Sequence, residues 1–179
     1  LFTTVSVGWQ SYITNKTQGM GDDFSAAVQL VLEQDVDAAV LALDRVTEST
    51  SDGYVTLAKL KKASLLIENG KISEGLKIYS ELEKTAVDAS FRDMSTIFYV
   101  LNAMDTLPAD DLINKISQLT KPNNPWSSTA MELEGFLYLK LGDKIKAKET
   151  FKILSEKAGI PSDLKSRAKD MLNFLSNKN

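Results

Sequence analysis

The chain has 179 residues, a net charge of −3, and neither His nor Cys. That length suits one continuous apolar core, or a row of about four or five helix pairs of ~34 residues each. Without imidazole or thiol there is no usual base near neutral pH, no thiol nucleophile and few of the ligands zinc, copper or iron prefer, which excludes serine-triad, cysteine-protease and zinc-hydrolase chemistry. The acidic balance argues against nucleic acid as a main partner, because phosphate binding needs a basic stripe.

The start of the chain is unusual. Leu1, Phe2, Val5, Val7, Gly8, Trp9 and Tyr12 open it, and two readings stand side by side. One is the trimmed end of a membrane helix, with Trp9 and Tyr12 at headgroup level; the other is an ordinary amphipathic helix. No run of ~18 apolar residues follows. Lack of Cys fits an oxidising space, although cytosolic domains also do without it.

Spacings of three and four predict helices over residues 3–33, 35–48, 53–69, 72–86, 89–105, 109–120, 126–141, 144–157 and 162–176, with nothing that reads as a strand. Asp52 is expected to cap the third helix and Ser73 stands near the start of the fourth. Gly70 and Gly142 suit the left-handed residue that ends a helix, and Pro108, Pro125 and Pro161 fit first turns or stops. Connections of two to five residues make neighbouring helices antiparallel hairpins. After Asn124 and Pro125, Trp126 is expected to staple its loop to the preceding hairpin. The last helix carries Leu164, Ala168, Met171, Leu172 and Leu175 on one side and Lys165, Arg167 and Lys169 on the other, as a solvating cap would. Charge gathers at this end: residues 140–179 hold ten Lys or Arg against five Asp or Glu.

A repeat organises these segments. Gly142, Ala147, Phe151 and Leu154 return 72 residues earlier as Gly70, Gly75, Tyr79 and Leu82, and 36 earlier again as Gln34, Ala39, Leu43 and Val46. Seven residues before each turn stands another small residue, Ala27, Ala63 or Gly135. Small residues at these places let two helices approach, while the large ones fill the gap to the next pair. A copy near residue 106 is degenerate: its turn is Leu107 and Pro108, and Leu112, Ile116 and Leu119 follow with a one-residue insertion.

Gly135, Tyr138, Gly142, Ala147 and Phe151 together resemble the tetratricopeptide repeat, with Leu66 and Leu30 at the aromatic position in the looser copies. The fold expected is therefore all-α: a tetratricopeptide-like antiparallel helix-hairpin solenoid of about four repeats plus a C-terminal capping helix, over residues 20–179, after an N-terminal helical stretch at 1–19. The segments Gly53 to Lys59 and Phe91, Arg92, Asp93, with the Asn124, Pro125, Trp126 turn and the Glu134 to Gly142 helix, are similar to a bacterial family of membrane-anchored tetratricopeptide-like proteins. That family includes the ancillary subunit of the Sec translocon, and the Asn-Pro-Trp turn resembles its alphaproteobacterial members. The resemblance implies an anchor upstream of Leu1, a place on the periplasmic side of the inner membrane, and partners among a periplasmic chaperone or prolyl isomerase and the Sec translocon. A soluble cytoplasmic adaptor that scaffolds a complex is the alternative.

In repeats of this kind the first helix of each hairpin lines the concave face, where an extended peptide or partner helix lies. Registered on the turns, Phe24, Val28, Leu57, Lys61, Ser64, Glu132, Phe136 and Lys140 fall on or near it. For Phe24 and Phe136 plain core packing competes with partner contact, and for Lys61 and Lys140 a solvated charge does. No enzyme, cofactor or metal is expected. Asp22 with Asp23 and Asp110 with Asp111 are neighbours whose side chains point about 100° apart on a helix, as first-turn charges rather than facing acid and base.

Overall fold

A computed structural model describes residues 21–48 and 52–176. All regular structure among them is helical: α1 (described over 21–32), α2 (Val36–Thr47), α3 (Asp52–Glu68), α4 (Ile72–Thr85), α5 (Ala89–Ala103), α6 (Ala109–Ile116), α7 (Ser127–Lys140), α8 (Lys144–Glu156) and α9 (Ser162–Ser176). The all-α class expected from the sequence is thus what the described residues have. Positions 3–20 of the first expected helix, with Trp9 and Tyr12, lie outside them. The chain divides into two compact units, residues 1–91 and 92–179.

Three of the junctions close in the same way. Gln34, Gly70 and Gly142 have φ of 62°, 80° and 78°. The N–H of each donates three residues back, to Val31, Ile67 and Leu139, at 3.1, 3.0 and 3.0 Å. The next residue's N–H reaches five back, to Leu30, Leu66 and Tyr138, at 3.2, 2.8 and 2.9 Å. This double closure satisfies carbonyls that the end of a helix leaves without partners. The carbonyls of Asp35, Lys71 and Asp143 then accept the first bond of the following helix from Ala39, Gly75 and Ala147 at 2.9, 3.2 and 3.0 Å. One circuit ends a helix and starts the next.

The caps differ from expectation. Asp35 and Asp143 are the residues whose carboxylates cap α2 and α8, accepting from the N–H of Ala38 and Lys146 at 3.2 and 3.0 Å. Ser73 stands near the start of α4 as expected, as its second residue, while the cap position belongs to Lys71 with no side-chain bond. Asp52 is itself the first helical residue of α3.

The degenerate junction has no left-handed residue among the described positions around it. Leu107 N–H closes on Ala103 O at 2.9 Å, and Pro108, with extended ψ of 133°, leads into α6. Leu112, Ile116 and Leu119 are buried as the shifted register requires. However, α6 stops at Ile116, not at 120. Ser117 Oγ bonds Asn114 O at 2.9 Å and Thr120 Oγ1 bonds Ser117 O at 2.9 Å. Hydroxyls so placed offer the backbone an alternative to continuing the helix, and the segment closes as turns.

In the first unit α3 packs between α2 and α4. Its core joins Ala27, Ala39, Leu43, Val46, Ala58 and Leu65, with Phe24, Val31 and Tyr54 against it. In the second unit α7 meets α6, α8 and α9, around Ala147, Phe151, Leu154, Leu164, Ala168 and Leu175. Burial follows the 36-residue spacing: Leu43, Tyr79 and Phe151 are at most 2% exposed, as are Val46, Leu82 and Leu154.

Close approach sets the glycines inside helices. A Cβ on Gly135 would stand 2.7 Å from the tip of the Phe151 ring, and one on Gly75 would stand 2.6 Å from the carbonyl oxygen of Ala63. The copy with Leu43 as its bulky residue has alanine at both small positions, Ala27 and Ala39. Each aromatic copy has one of the two reduced to glycine.

Candidate protein-binding surface

The side chains assigned from sequence to a common face come from α1, α3 and α7. In the first unit Phe24 sits against the core, its ring 6.1 Å from that of Tyr54, and Val28, four residues on, is half-buried. On α3, Leu57 is exposed and Lys61 is half-buried. Ser64 donates to Glu68 at 2.7 Å and lies within hydrogen-bonding reach of Tyr79. Burial first, and the Glu68 charge second, push the Tyr79 hydroxyl up to about 12.

In the second unit the three α7 residues are engaged within the fold. Glu132 accepts from Arg167 Nε at 2.7 Å and Nη2 at 3.0 Å, and Arg167 also reaches Asp163 at 2.9 Å, which ties α7 to α9. Two bonds from one planar guanidinium to one carboxylate fix orientation as well as distance. They hold the guanidinium pKa up, while Arg167 holds the Asp163 carboxyl below the usual range. Phe136 meets Phe151 edge-on, centroids 5.3 Å apart. Lys140 donates to the carbonyls of Met104 and Leu107, the latter at 3.1 Å, at the junction that has no left-handed closure.

Two hollows border α3. One, about 250 Å³, is lined by Val31, Gln34, Val36, Leu65, Glu68 and Asn69; the other, about 170 Å³, by Gly53, Thr56, Val87, Asp88 and Phe91. Both fall below the ~300 Å³ at which small-molecule sites begin.

Among the described residues no three His, Cys, Asp or Glu side chains gather closely enough to hold a metal ion. Nor is any helix there long and apolar enough to cross a membrane. The half-buried Glu134 carboxyl is raised by desolvation, and one turn on the Tyr138 hydroxyl is raised by burial and then by Glu134. Asp143 is held low chiefly by the Lys146 N–H it caps.

No known family model, curated protein or solved structure matches the chain.

Sequence reasoning passed over several side chains that fasten the second unit. Asn124 Nδ2 donates to Asp93 at 2.7 Å, its Oδ1 accepts from Trp126 N–H at 2.7 Å, and Lys157 reaches Ser127 Oγ at 2.7 Å. The Asn-Pro-Trp turn is held by its own asparagine, and the Trp126 indole nitrogen is buried without a hydrogen-bond partner. The signal present in the sequence was Asn three residues before a helix start, a common turn former.

Proposed function

We propose that this chain is a non-catalytic protein-interaction module of tetratricopeptide-like helix hairpins, about four repeats closed by α9 as a cap. On this reading residues 20–179 are the repeat domain. The observation that supports it is the recurrence of one hydrogen-bond circuit at Gln34, Gly70 and Gly142, on the spacing that also orders burial. Repeats built this way are used to present extended surfaces to other polypeptides.

The placement we propose is the periplasmic side of the bacterial inner membrane, tethered upstream of Leu1 and serving a chaperone, a prolyl isomerase or export at the Sec translocon. Its support is the resemblance carried by Gly53 to Lys59, the Asn124-Pro125-Trp126 turn and the Glu134 to Gly142 helix, together with the apolar opening of the chain. Leu57 is the position from which to test it, because it is exposed on α3. A photocrosslinker there, used in cells, should capture translocon or periplasmic folding proteins. Capture of cytoplasmic proteins alone would favour the soluble adaptor, and no protein adduct at all would remove the interaction module.

A further inference from the structure

The second unit holds an ammonium of its own. Lys140, at the end of α7, donates to the carbonyls of Met104 and Leu107 at the junction after α5. A shift of 72 residues toward the N-terminus carries Lys140 onto Glu68, Leu137 onto Leu65, Met104 onto Leu32, and Thr106 and Pro108 onto Gln34 and Val36. The corresponding place in the first unit is the hollow of about 250 Å³ lined by Val31, Gln34, Val36, Leu65, Glu68 and Asn69. Where the second unit has an ammonium, the first has a carboxylate beside open space.

The chemistry of that place favours a cation. The turn at Gln34 uses the carbonyls of Leu30 and Val31, and among the described residues no turn bond ends on the next one, Leu32 O, the counterpart of Met104 O. Carbonyls at the end of a helix carry negative partial charge. Glu68 is the one charged residue of the lining, and its Oε1 accepts from Ser64 at 2.7 Å. Lys62, on the same helix, is engaged elsewhere, by Asp44 at 2.5 Å.

We propose that this hollow is a binding site for a primary ammonium on a short alkyl stem. Val31, Val36 and Leu65 take the stem, while Glu68, the Leu32 carbonyl and the amide oxygens of Gln34 and Asn69 offer acceptors to the three N–H donors. The volume is small for an ordinary metabolite. It matches what Lys140 supplies covalently in the other unit, a four-carbon stem and an ammonium. A free alkylamine and the lysine side chain of a peptide share that chemistry.

Amide NMR spectra of the 179-residue chain test this, with n-butylammonium chloride as the probe at about pH 7, where the amine is protonated. Signals of residues 32–36 and 65–70 should move along a saturable curve in the millimolar range. Tetramethylammonium and potassium carry the same charge without N–H donors and should leave those signals in place. Glu68→Gln should weaken the response roughly tenfold, as a charge-assisted bond becomes a neutral one. Glu68→Lys should abolish it, because that variant brings its own ammonium to the site as Lys140 does 72 residues on. Glu68 is exposed, and the spectra of both variants report directly whether the fold is kept. A capped pentapeptide with one central lysine, set against the same peptide with norleucine, tells the two sources apart. Saturable shifts at the same residues place the ammonium on a polypeptide, and a response to the free amine alone makes the ligand a small amine. No saturable shift with n-butylammonium, an equal response to tetramethylammonium or potassium, or a response unchanged in either Glu68 variant would each overturn the proposal.

Discussion

At Gly75 and Gly135 one carbon atom separates a closed helix pair from a strained one. Alanine in a helix is normally favoured over glycine by about 1 kcal/mol, but overpacking a closed contact costs about 1–3 kcal/mol. The second effect wins at Gly75, because the atom met at 2.6 Å is a backbone carbonyl oxygen that cannot rotate away. Gly75→Ala should therefore lower stability in a urea melt, and Gly135→Ala should do so with partial recovery when Phe151→Leu is added. Gain in either single variant would mean that the pairs are looser than the distances indicate. Tyr79 makes a different demand. Its folded pKa of about 12 lies above the ordinary 10.0, so the neutral phenol is what the fold stabilises. That contribution is whole below pH ~10 and is lost as pH climbs toward ~12, up to about 2–3 kcal/mol in all. Urea melts across this window should show a steeper alkaline loss for the parent than for Tyr79→Phe; parallel curves would refute it. Sequence spacing identified these residues as packing positions. It did not identify Ser64 and Glu68 as the polar neighbours of a buried hydroxyl, because the three meet only once α3 and α4 are paired.

Between elements, the same turn is built with a strained residue once and an unstrained one twice. A side chain at positive φ costs about 1–2 kcal/mol, which glycine avoids. Gln34→Gly should raise the melt by about 0.5–1 kcal/mol, and Gly142→Ala, though its Cβ would meet open space, should lower it by about 1 kcal/mol. Equal effects of one sign would rule out the shared geometry. The degenerate junction relies on Lys140 instead. Lys140→Ala should cost about 0.5–1.5 kcal/mol by leaving Met104 and Leu107 carbonyls to water, whereas Lys61→Ala should stay within ~0.5 kcal/mol. If the two substitutions cost the same, Lys140 does not close that junction. The sequence shows Lys140 only as a residue on a helix face; its bonds to the Met104 and Leu107 carbonyls are not legible there, because a lysine stem reaches several ångströms along the surface before it ends. The early stop of α6 was likewise hidden, since Ser117 and Thr120 interrupt a pattern that Leu112, Ile116 and Leu119 continue.

Across the whole molecule, the hairpins were legible because period and turn residue are local properties. The two-unit division at Phe91 and Arg92 was not, since it lies within α5 and leaves no change of composition to read. Local closure also ranks the parts by ease of opening. The amides of Thr106, Leu107, Leu119 and Asn124, each served by a single turn bond, should exchange with deuterium before those of Gly142, Asp143 and Ala147, which sit in the double circuit. Uniform protection across these amides would contradict that ranking. The turn at Gly70 does something further. Asn followed by Gly is the pair whose backbone nitrogen most readily attacks the side-chain amide and expels ammonia. Here the Asn69 amide donates to Leu65 O at 2.8 Å and the Gly70 N–H to Ile67 O at 3.0 Å, so both reacting groups are occupied. The geometry that joins α3 to α4 thereby delays the chemical ageing of the bond most prone to it, for as long as the hairpin stays shut.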